Sequence, residues 1–501
     1  MRALPLVHLC IVQPVGYVHS LGLLDPARYF RYQFRRMGAE VSIAKNRLRH
    51  DAVNFVFGAH LGFDAAQTRR HACIFVNLEQ LGAGGASVSP EYLDLLAHQA
   101  VVDYDARNVA AYSSEPDSVP IVPMLYAPYL REANPLPLEQ RPIDLLFVGS
   151  MNPRRQALID RIESAGVSVS VFDHPLYGDE RDQFIRQAKA VLNVHFYESG
   201  RFEQVRVAHC LSLGTPVIAE LTPAAPPNPA FDPCVHWLST DERLERFFRE
   251  HFGTPEFHQA SRLALAQFET AEPLEPFADL LAFAAGFCGE HHKRREAGPW
   301  CPVGINLGSG KDYRSGWLNL DVVEHAHPDL LLDLGRPLTL PHVAHSPTLG
   351  EVQLAEDSIL VINANNVLEH VPDLTTLMGN CLRLLRLGGQ MEIEVPYERS
   401  STAWQDPTHI RAMNENSWIY YTEWFWYLGW LEHRFEMIAS TWLDLQLQPC
   451  AQDRAAFMRV SLRKVATTAR ERTVARTMRA DFGGLVDDLP QTVDSEVELA
   501  A

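Results

Sequence analysis

Residues 303–321 read VGINLGSGKDYRSGWLNLD. Val303 to Leu307 is a short apolar run, the pattern of a buried strand, and it ends in Gly308-Ser309-Gly310. Glycines at a strand exit let the chain turn sharply and let a ligand approach the backbone. A second short strand over residues 316–320 ends in Asp321. A carboxylate at a strand tip can accept hydrogen bonds from both hydroxyls of a ribose. The Gly-to-Asp spacing is shorter than the roughly 20 residues of a dinucleotide fingerprint. No long helix fits between Gly310 and Gly316, which argues against a nicotinamide cofactor.

Further along, residues 358–364 read as an apolar strand followed by NNVLEHVPD (365–373). A helical stretch over 374–387 is stopped by Gly388-Gly389, and a strand over 390–395 ends at Pro396. Taken in order, the LGSG turn, Asp321, LLLDLGRPL with Asp333, NNVLEHVPD and LRLLRLGGQMEIEVP resemble the class I S-adenosylmethionine (SAM)-dependent methyltransferases. The resemblance implies that SAM is the cofactor. It implies that Gly308 and Gly310, with Ser309 between them, lie against its methionine part. Asp321 would hold the ribose, Asp333 would lie near the adenine and Asn365 beside the donor. The chain departs from the family by inserting residues 342–350 after Pro341, which read as a surface loop.

Two histidines follow the central strands. His370 comes directly after a strand exit, and an imidazole titrates near neutrality, so it can serve as a general base. Equally, Glu369-His370 can cap and pack the next helix. The block Asp406-Pro407-Thr408-His409-Ile410-Arg411 lies in a non-periodic polar loop, where binding residues concentrate. Pro407 fixes an extended turn after Asp406. His409 supplies a base, the first choice for the acceptor proton, and Arg411 an anion anchor. Methyltransferases of the resembled family carry a similar block here. An aromatic cluster runs from Trp418 to Trp430 and reads as covering all sides of a helix. Most of it must be core, leaving Trp404 or Trp418 to stack on an acceptor ring.

At 501 residues the chain has room for about three domains. Its formal net charge of −18 disfavours nonspecific nucleic-acid binding, and none is expected. The 8 cysteines are scattered without a CxxC pair, as in reduced cytoplasmic proteins. No apolar run reaches the roughly 18 residues of a transmembrane segment. Residues 4–18 are apolar but interrupted by Pro5, His8, Gln13 and Pro14, and read as a first strand. His291-His292 has no partner at metal-ligand spacing and reads as a solvated helix face. No metal is expected.

The first half of the chain alternates short apolar strands with helical stretches, the pattern of parallel sheets that bind ligands at strand C-termini. Strands are read at 6–12, 40–44, 54–57, 73–77 and 100–102, then at 144–148, 167–172, 191–195 and 216–219. Helices are read at 26–37, 153–165, 179–190, 202–213, 241–251, 255–269 and 276–287, with a charged linker at 290–296. NFVFGAHLGF, FVNLEQLG, VVDYDARNVAAY, DLLFVGSMNPRR and the stretch 177–220 resemble bacterial GT-B-like glycosyltransferases of surface-glycan and protein-glycan pathways. That resemblance implies that Glu203 holds a nucleotide sugar, with Arg206 one turn on. The slot for a second, helical Glu is occupied by His209. Arg154, Arg155 and Arg206 could pair with a pyrophosphate at the N-terminus of the 202–213 helix. The plainer reading of Glu203 and Arg206 is an i, i+3 pair.

The resulting expectation is an α/β chain: two Rossmann-like units in a GT-B-like arrangement, then a class I methyltransferase domain. The boundaries are 1–125, 126–298, 299–465 and 466–501, the last a basic helix and an acidic tail. The expected function is methyl transfer from SAM to a sugar or glycoconjugate, with the front module binding a nucleotide sugar or glycan and possessing, in one reading, transferase activity. A second reading leaves the front module as a substrate- or protein-binding scaffold, with a small-molecule or lipid acceptor.

Overall fold

Strands that are apolar on both faces select parallel sheets covered by helices, and the first half of the chain builds two of them. The computed structural model describes residues 4–172, 174–196, 202–221, 229–241, 243–295 and 298–479. The acidic tail expected at 481–501 lies outside the described residues. The first sheet contains β1 (Val7–Ile11), β2 (Val41–Lys45), β3 (Val53–Phe57), β4 (Ala72–Asn77) and β5 (Ala100–Asp103). Their order is β2-β1-β3-β4-β5, all parallel. The second contains β6 (Ile143–Phe147), β7 (Val169–Ser170), β8 (Ala188–Asn193), β9 (Val217–Leu221) and β10 (His236–Ser239). Its order, β10-β9-β8-β6-β7, is again all parallel. Counted within each sheet, both follow one doubly wound order, whose crossovers reverse between the first and third strands.

The third sheet contains β11 (Gly304–Leu307), β12 (Leu318–Asp321), β13 (Leu330–Leu331), β16 (Ile359–Asn365), β17 (Leu385–Pro396), β18 (His433–Leu443) and β19 (Phe457–Ala466). Between β13 and β16 a hairpin intervenes, β14 (His342–Ser346) and β15 (Gly350–Leu354). The seven-stranded order is β13-β12-β11-β16-β17-β19-β18, with only β19 reversed against its neighbours. That is a class I methyltransferase sheet. The chain divides into two compact units, residues 1–297 with 347–349, and 298–346 with 350–501. The first holds the two doubly wound sheets as Rossmann-like units in a GT-B-like arrangement, and the second holds the methyltransferase sheet. No helix among the described residues is long and apolar enough to cross a membrane.

Local chemistry explains the helix starts. Pro153–Ser164 begins on Asn152, whose side chain accepts from the Arg155 N–H at 2.8 Å, with Pro at the first turn. Leu374–Leu384 begins on Asp373, which accepts from the Thr376 N–H at 2.9 Å. In the first unit the helix Leu24–Arg36 buries Tyr29, Phe30 and Phe34. Phe277 of Leu274–Arg294 packs edge-on against Phe30 with ring centroids 5.0 Å apart.

Several elements differ from the sequence-based expectation. The helix expected over 179–190 stops at Gln187, because Ala188 pairs in parallel with Ile143 and starts β8. The strand expected over 167–172 is only Val169–Ser170. Gly388-Gly389 does not stop a helix. The helix ends at Leu384, and Gly388, at φ +80°, lies inside β17 where the pairing register with β16 shifts. Residues 342–350 form one arm and the turn of the β14–β15 hairpin instead of a loop. The charged run taken as linker starts inside a helix that continues to Arg294, and His291 Nε2 bonds the Thr68 carbonyl at 2.8 Å instead of facing solvent. The aromatic run is three short turns, Glu415–Trp418, Ile419–Thr422 and Phe425–Leu428, not one helix. β18 and β19 were not foreseen.

Candidate functional site

In the second unit the site starts at the β11 exit. Gly308 and Gly310 have φ of +62° and +47°, which glycine adopts without strain. A Cβ on Gly308 would sit 2.3 Å from Val367 Cγ2, so the turn packs directly on the loop after β16. Asp321 closes the turn from the tip of β12. Its Oδ2 accepts from the Gly310 N–H at 2.8 Å and its Oδ1 from the Val323 N–H at 2.9 Å. Each carboxylate oxygen carries two lone pairs, so one on each remains for a ligand hydroxyl. Ser309 is buried and its N–H donates to the Leu320 carbonyl at 2.9 Å, so it shapes the turn. Asn365, at the end of β16, is exposed. Asp333 follows β13, where its Oδ1 accepts from the Gly335 N–H at 2.8 Å and its Oδ2 pairs with Arg336 at 3.2 Å.

A buried amide network that the sequence reading missed stiffens this edge. Asn306 on β11 donates to Asn319 Oδ1 on β12 at 3.1 Å, and Asn363 on β16 donates to Asn306 at 3.2 Å. Asn319 in turn donates to Asp329 at 2.8 Å. Polar groups at alternate strand positions are the signal that could have shown it.

At the exits of β16 and β17, His370 and His409 lie with ring centroids 4.8 Å apart. Behind them sits Glu369, with 1% of its side chain exposed and His409 Nε2 at 4.0 Å. Neither Glu369 oxygen has a hydrogen-bond partner among the described residues. Burial pushes its carboxyl up to about 7. Both histidines place Nδ1 against carbonyls, His409 on Ala403 at 3.0 Å and His370 on Thr408 at 3.3 Å. Carbonyls only accept, so in the neutral form of each ring Nδ1 carries the proton and Nε2 keeps the lone pair. His409 points its Nε2 at Glu369, with 8% of its side chain exposed. Both histidines are half-buried and border Glu369.

The 406–411 loop is held by its own side chains. Asp406 Oδ1 accepts from the Thr408 N–H at 2.8 Å and hydroxyl at 2.6 Å, so this oxygen forms the turn. Those bonds hold its carboxyl below the usual range. Arg411 donates to the Val371 and Pro372 carbonyls, tying the loop to the 368–372 turn, so its guanidinium is partly committed. Trp404 is 69% exposed and offers a ring face, whereas Trp418 is 0% exposed and fills core. Trp418 is thereby corrected from ring platform to packing residue.

In the first unit a cleft of about 670 Å³ opens where β4 to β7 end, lined among others by Glu79, Tyr104, Gly149, Tyr177 and Arg206. Glu79, Tyr104 and Gly149 directly follow strand C-termini, where doubly wound sheets take ligands. Arg154 and Arg155 do not serve there as free anion ligands. Arg154 pairs with the buried Glu220. Arg155 is 2% exposed and donates to the carbonyls of Val194 and Ser150 and to Glu203 Oε1 at 3.2 Å. Burial draws its pKa down, with Glu203 opposing. Glu203 precedes the helix Gln204–Ser212 and also meets Asn193 at 3.1 Å and Arg206 at 2.8 Å. Arg206 keeps 36% of its side chain exposed and crowds Gly149, whose added Cβ would lie 2.9 Å from it. His209 meets Asp182 at 2.8 Å, and Arg181 bridges Asp182 to Asp25 at 2.6 and 2.7 Å. This ionic group also lines the cleft in part and was missed from sequence, since its members are 25, 181, 182 and 209.

No family model matches the chain. An uncharacterized protein, L140, of Acanthamoeba polyphaga mimivirus is 25% identical over 159 residues, 29% of this chain and 48% of the relative. The chain thus spans less than half the length of that curated relative. A SAM-dependent methyltransferase from Archaeoglobus fulgidus is structurally similar over 32% of this chain and 86% of its own, at 13% identity and a TM-score of 0.23. WaaG, a glycosyltransferase involved in lipopolysaccharide biosynthesis, is similar over 56% of this chain and 100% of its own, at 12% identity and a TM-score of 0.38. These likenesses concern fold alone and carry no residue roles to this chain. By its own strand orders, the chain joins two doubly wound, GT-B-like sheets to a class I methyltransferase fold.

Proposed function

We propose that the second unit transfers a methyl group from SAM to a hydroxyl or amine of a sugar or glycoconjugate, and that the first unit binds a nucleotide sugar or glycan in its cleft. The observation that carries the reading is the Gly308–Gly310 turn closed by Asp321, with a lone pair left on each carboxylate oxygen. In this reading the ribose hydroxyls donate to Asp321 and the methionine part lies on the glycine turn. Asn365 stands beside the donor. Asp333 lies on the adenine side.

Methyl transfer is an in-line displacement. The bond from sulfur to the methyl carbon breaks as the bond to the acceptor heteroatom forms, the electron pair stays on sulfur, and the acceptor proton leaves. Such a reaction needs alignment and a group that handles the proton. The Glu369, His370 and His409 side chains supply that group, four residues after Asn365 in the case of Glu369. Trp404 offers a ring face to a sugar. Supporting the sugar-nucleotide reading of the first unit is a cleft at the strand C-termini with Arg206 on its wall.

The experiment titrates the full chain with SAM and with a panel of UDP- and GDP-sugars, then follows radiolabelled methyl transfer to glycan acceptors. SAM binding with label appearing in a glycan supports the proposal. Label in a lipid or small metabolite alone would replace the acceptor class, and absence of any nucleotide-sugar binding would remove the donor role of the cleft.

A further inference from the structure

We propose that Glu369, His370 and His409 form a binding site for a first-row divalent cation of the zinc class, whose open side takes an oxygen of the methyl acceptor. The acceptor clause rests on the methyl-transfer reading above, while the cation site stands on its own geometry. One ligand atom from each of the three residues lies within 4.8 Å of the others. Two imidazoles and one carboxylate are a donor set for zinc, iron, cobalt or nickel, and a poor one for magnesium or calcium.

Three features make this a prepared site. The first is the tautomer of each histidine. Nδ1–H of His409 donates to Ala403 O at 3.0 Å, and that of His370 to Thr408 O at 3.3 Å and Thr408 Oγ at 3.0 Å. The Thr408 hydroxyl spends its own proton on Asp406 Oδ1 at 2.6 Å, so it can accept from His370. Metal-bound histidines are fixed in this way, with the far N–H on a carbonyl and Nε2 left as ligand. The second is Glu369, 1% exposed, with both oxygens unpartnered among the described residues. An orphan carboxyl group is costly in an apolar interior, and a cation between it and two imidazole lone pairs removes that cost. The third is the anchoring of the ligand-bearing segments. The Ile410 N–H donates to Glu369 O at 3.0 Å, and Arg411 donates to Val371 and Pro372 carbonyls.

The separation of His409 Nε2 from Glu369 Oε1 is 4.0 Å. Zinc ligands at about 2.0–2.1 Å stand roughly 3.4 Å apart in a tetrahedron, so this pair closes with about half an ångström of movement, and ligand atoms as far apart as 4.8 Å close with roughly 1.4 Å, within reach of side-chain rotation. Three protein ligands leave a fourth position, on the side of the two half-buried histidines away from the buried Glu369. A cation there would acidify a bound acceptor hydroxyl, whose proton leaves to water, and with the cation bound the three side chains act as its ligands in place of the proton-handling role they have without it. The competing reading is a proton shared by Glu369 and His409 with no metal at all.

The test uses full-length chain stripped with EDTA and dialysed, titrated calorimetrically with zinc chloride, and with cobalt(II) followed by its visible d–d bands. The site predicts one equivalent per chain and a tetrahedral or five-coordinate cobalt spectrum. Glu369→Gln and His409→Gln should each weaken binding by more than the roughly 10–100-fold that loss of an outer-shell partner costs. If Glu369→Gln does not fold, His370→Asn, at a half-buried position, carries the same comparison. Absence of a one-equivalent site, or unchanged affinity in the folded variants, overturns the proposal. SAM is titrated into the same samples. A chain that binds SAM but no cation loses only the metal site, and one that binds the cation but not SAM keeps the site and loses the methyl-transfer reading.

Discussion

Replacing Gly308 by alanine tests the packing that holds the glycine turn against the loop after β16. Two effects add. Alanine at a φ of +62° enters the left-handed region, which costs about 1–2 kcal/mol. The new Cβ also meets Val367 Cγ2 at 2.3 Å, an overpacking that costs about 1–3 kcal/mol more. Gly316 is the internal control, because it has φ +79° but nothing within 4 Å of an added Cβ. Gly316→Ala should therefore cost about 1–2 kcal/mol and Gly308→Ala about 2–5 kcal/mol. Of the 9 tryptophans only Trp237 lies in residues 1–297, so tryptophan emission on heating follows the second unit. Each kcal/mol should lower its midpoint by about 2–4 °C. Adding Val367→Ala should restore part of the difference, since it deletes the clashing methyls. Equal midpoints for Gly308→Ala and Gly316→Ala, or no coupling to Val367, would refute the reasoning.

Three other outcomes are expected. Trp418→Ala, at a fully buried position, should lower stability by about 3–5 kcal/mol, while Trp404→Ala, 69% exposed, should leave the melting midpoint unchanged and weaken acceptor binding; matching midpoints would contradict the assignment. Arg206→Ala should weaken nucleotide-sugar binding by roughly 1.5–3 kcal/mol without unfolding the first unit, read by calorimetry and circular dichroism. Glu203→Ala should instead destabilise that unit by about 3 kcal/mol, because Arg155, 2% exposed, loses its carboxylate. Burial pushes the Asp182 carboxyl up, but the His209 and Arg181 contacts more than reverse it and hold it at about 2. A depressed carboxylate stabilises the fold fully above the unfolded value near about 4, and that contribution is lost as pH falls through about 2. Acid titration of Asp182→Asn by circular dichroism should lack this component, and a limb identical to wild type would exclude it.

Strands of the parallel sheets were legible because burial on both faces leaves a nearly continuous apolar run, as in residues 53–57, broken only by Asn54, and 72–76. The glycine turn and Asp321 were legible because both lie in one short stretch of chain. β18 and β19 were not. β18 buries only Phe435 and Leu443, and β19 alternates buried with less buried positions and carries Arg459, Arg463 and Lys464 within the strand, so no apolar run marks either. Gly388-Gly389 misled because glycine accompanies both a helix stop and a strand irregularity, and only pairing with β16 distinguishes them. The roles of Arg154 and Arg155 were misread for a related reason. Sequence shows their charge but not Glu220, 66 residues away, or the Val194 carbonyl that receives Arg155. Glu369, His370 and His409 come from segments 39 residues apart at their closest, so no ligand spacing could reveal the cluster.

The central claim is that the turn closed by Asp321 holds SAM, and calorimetric titration of SAM into wild type and Asp321→Ala tests it most directly. Saturable binding of one SAM per wild-type chain is predicted, weakened in Asp321→Ala by roughly 1.5–3 kcal/mol, the worth of hydrogen bonds to a charged group. Unchanged affinity in a folded Asp321→Ala, or wild-type binding of NADH in place of SAM, would contradict it.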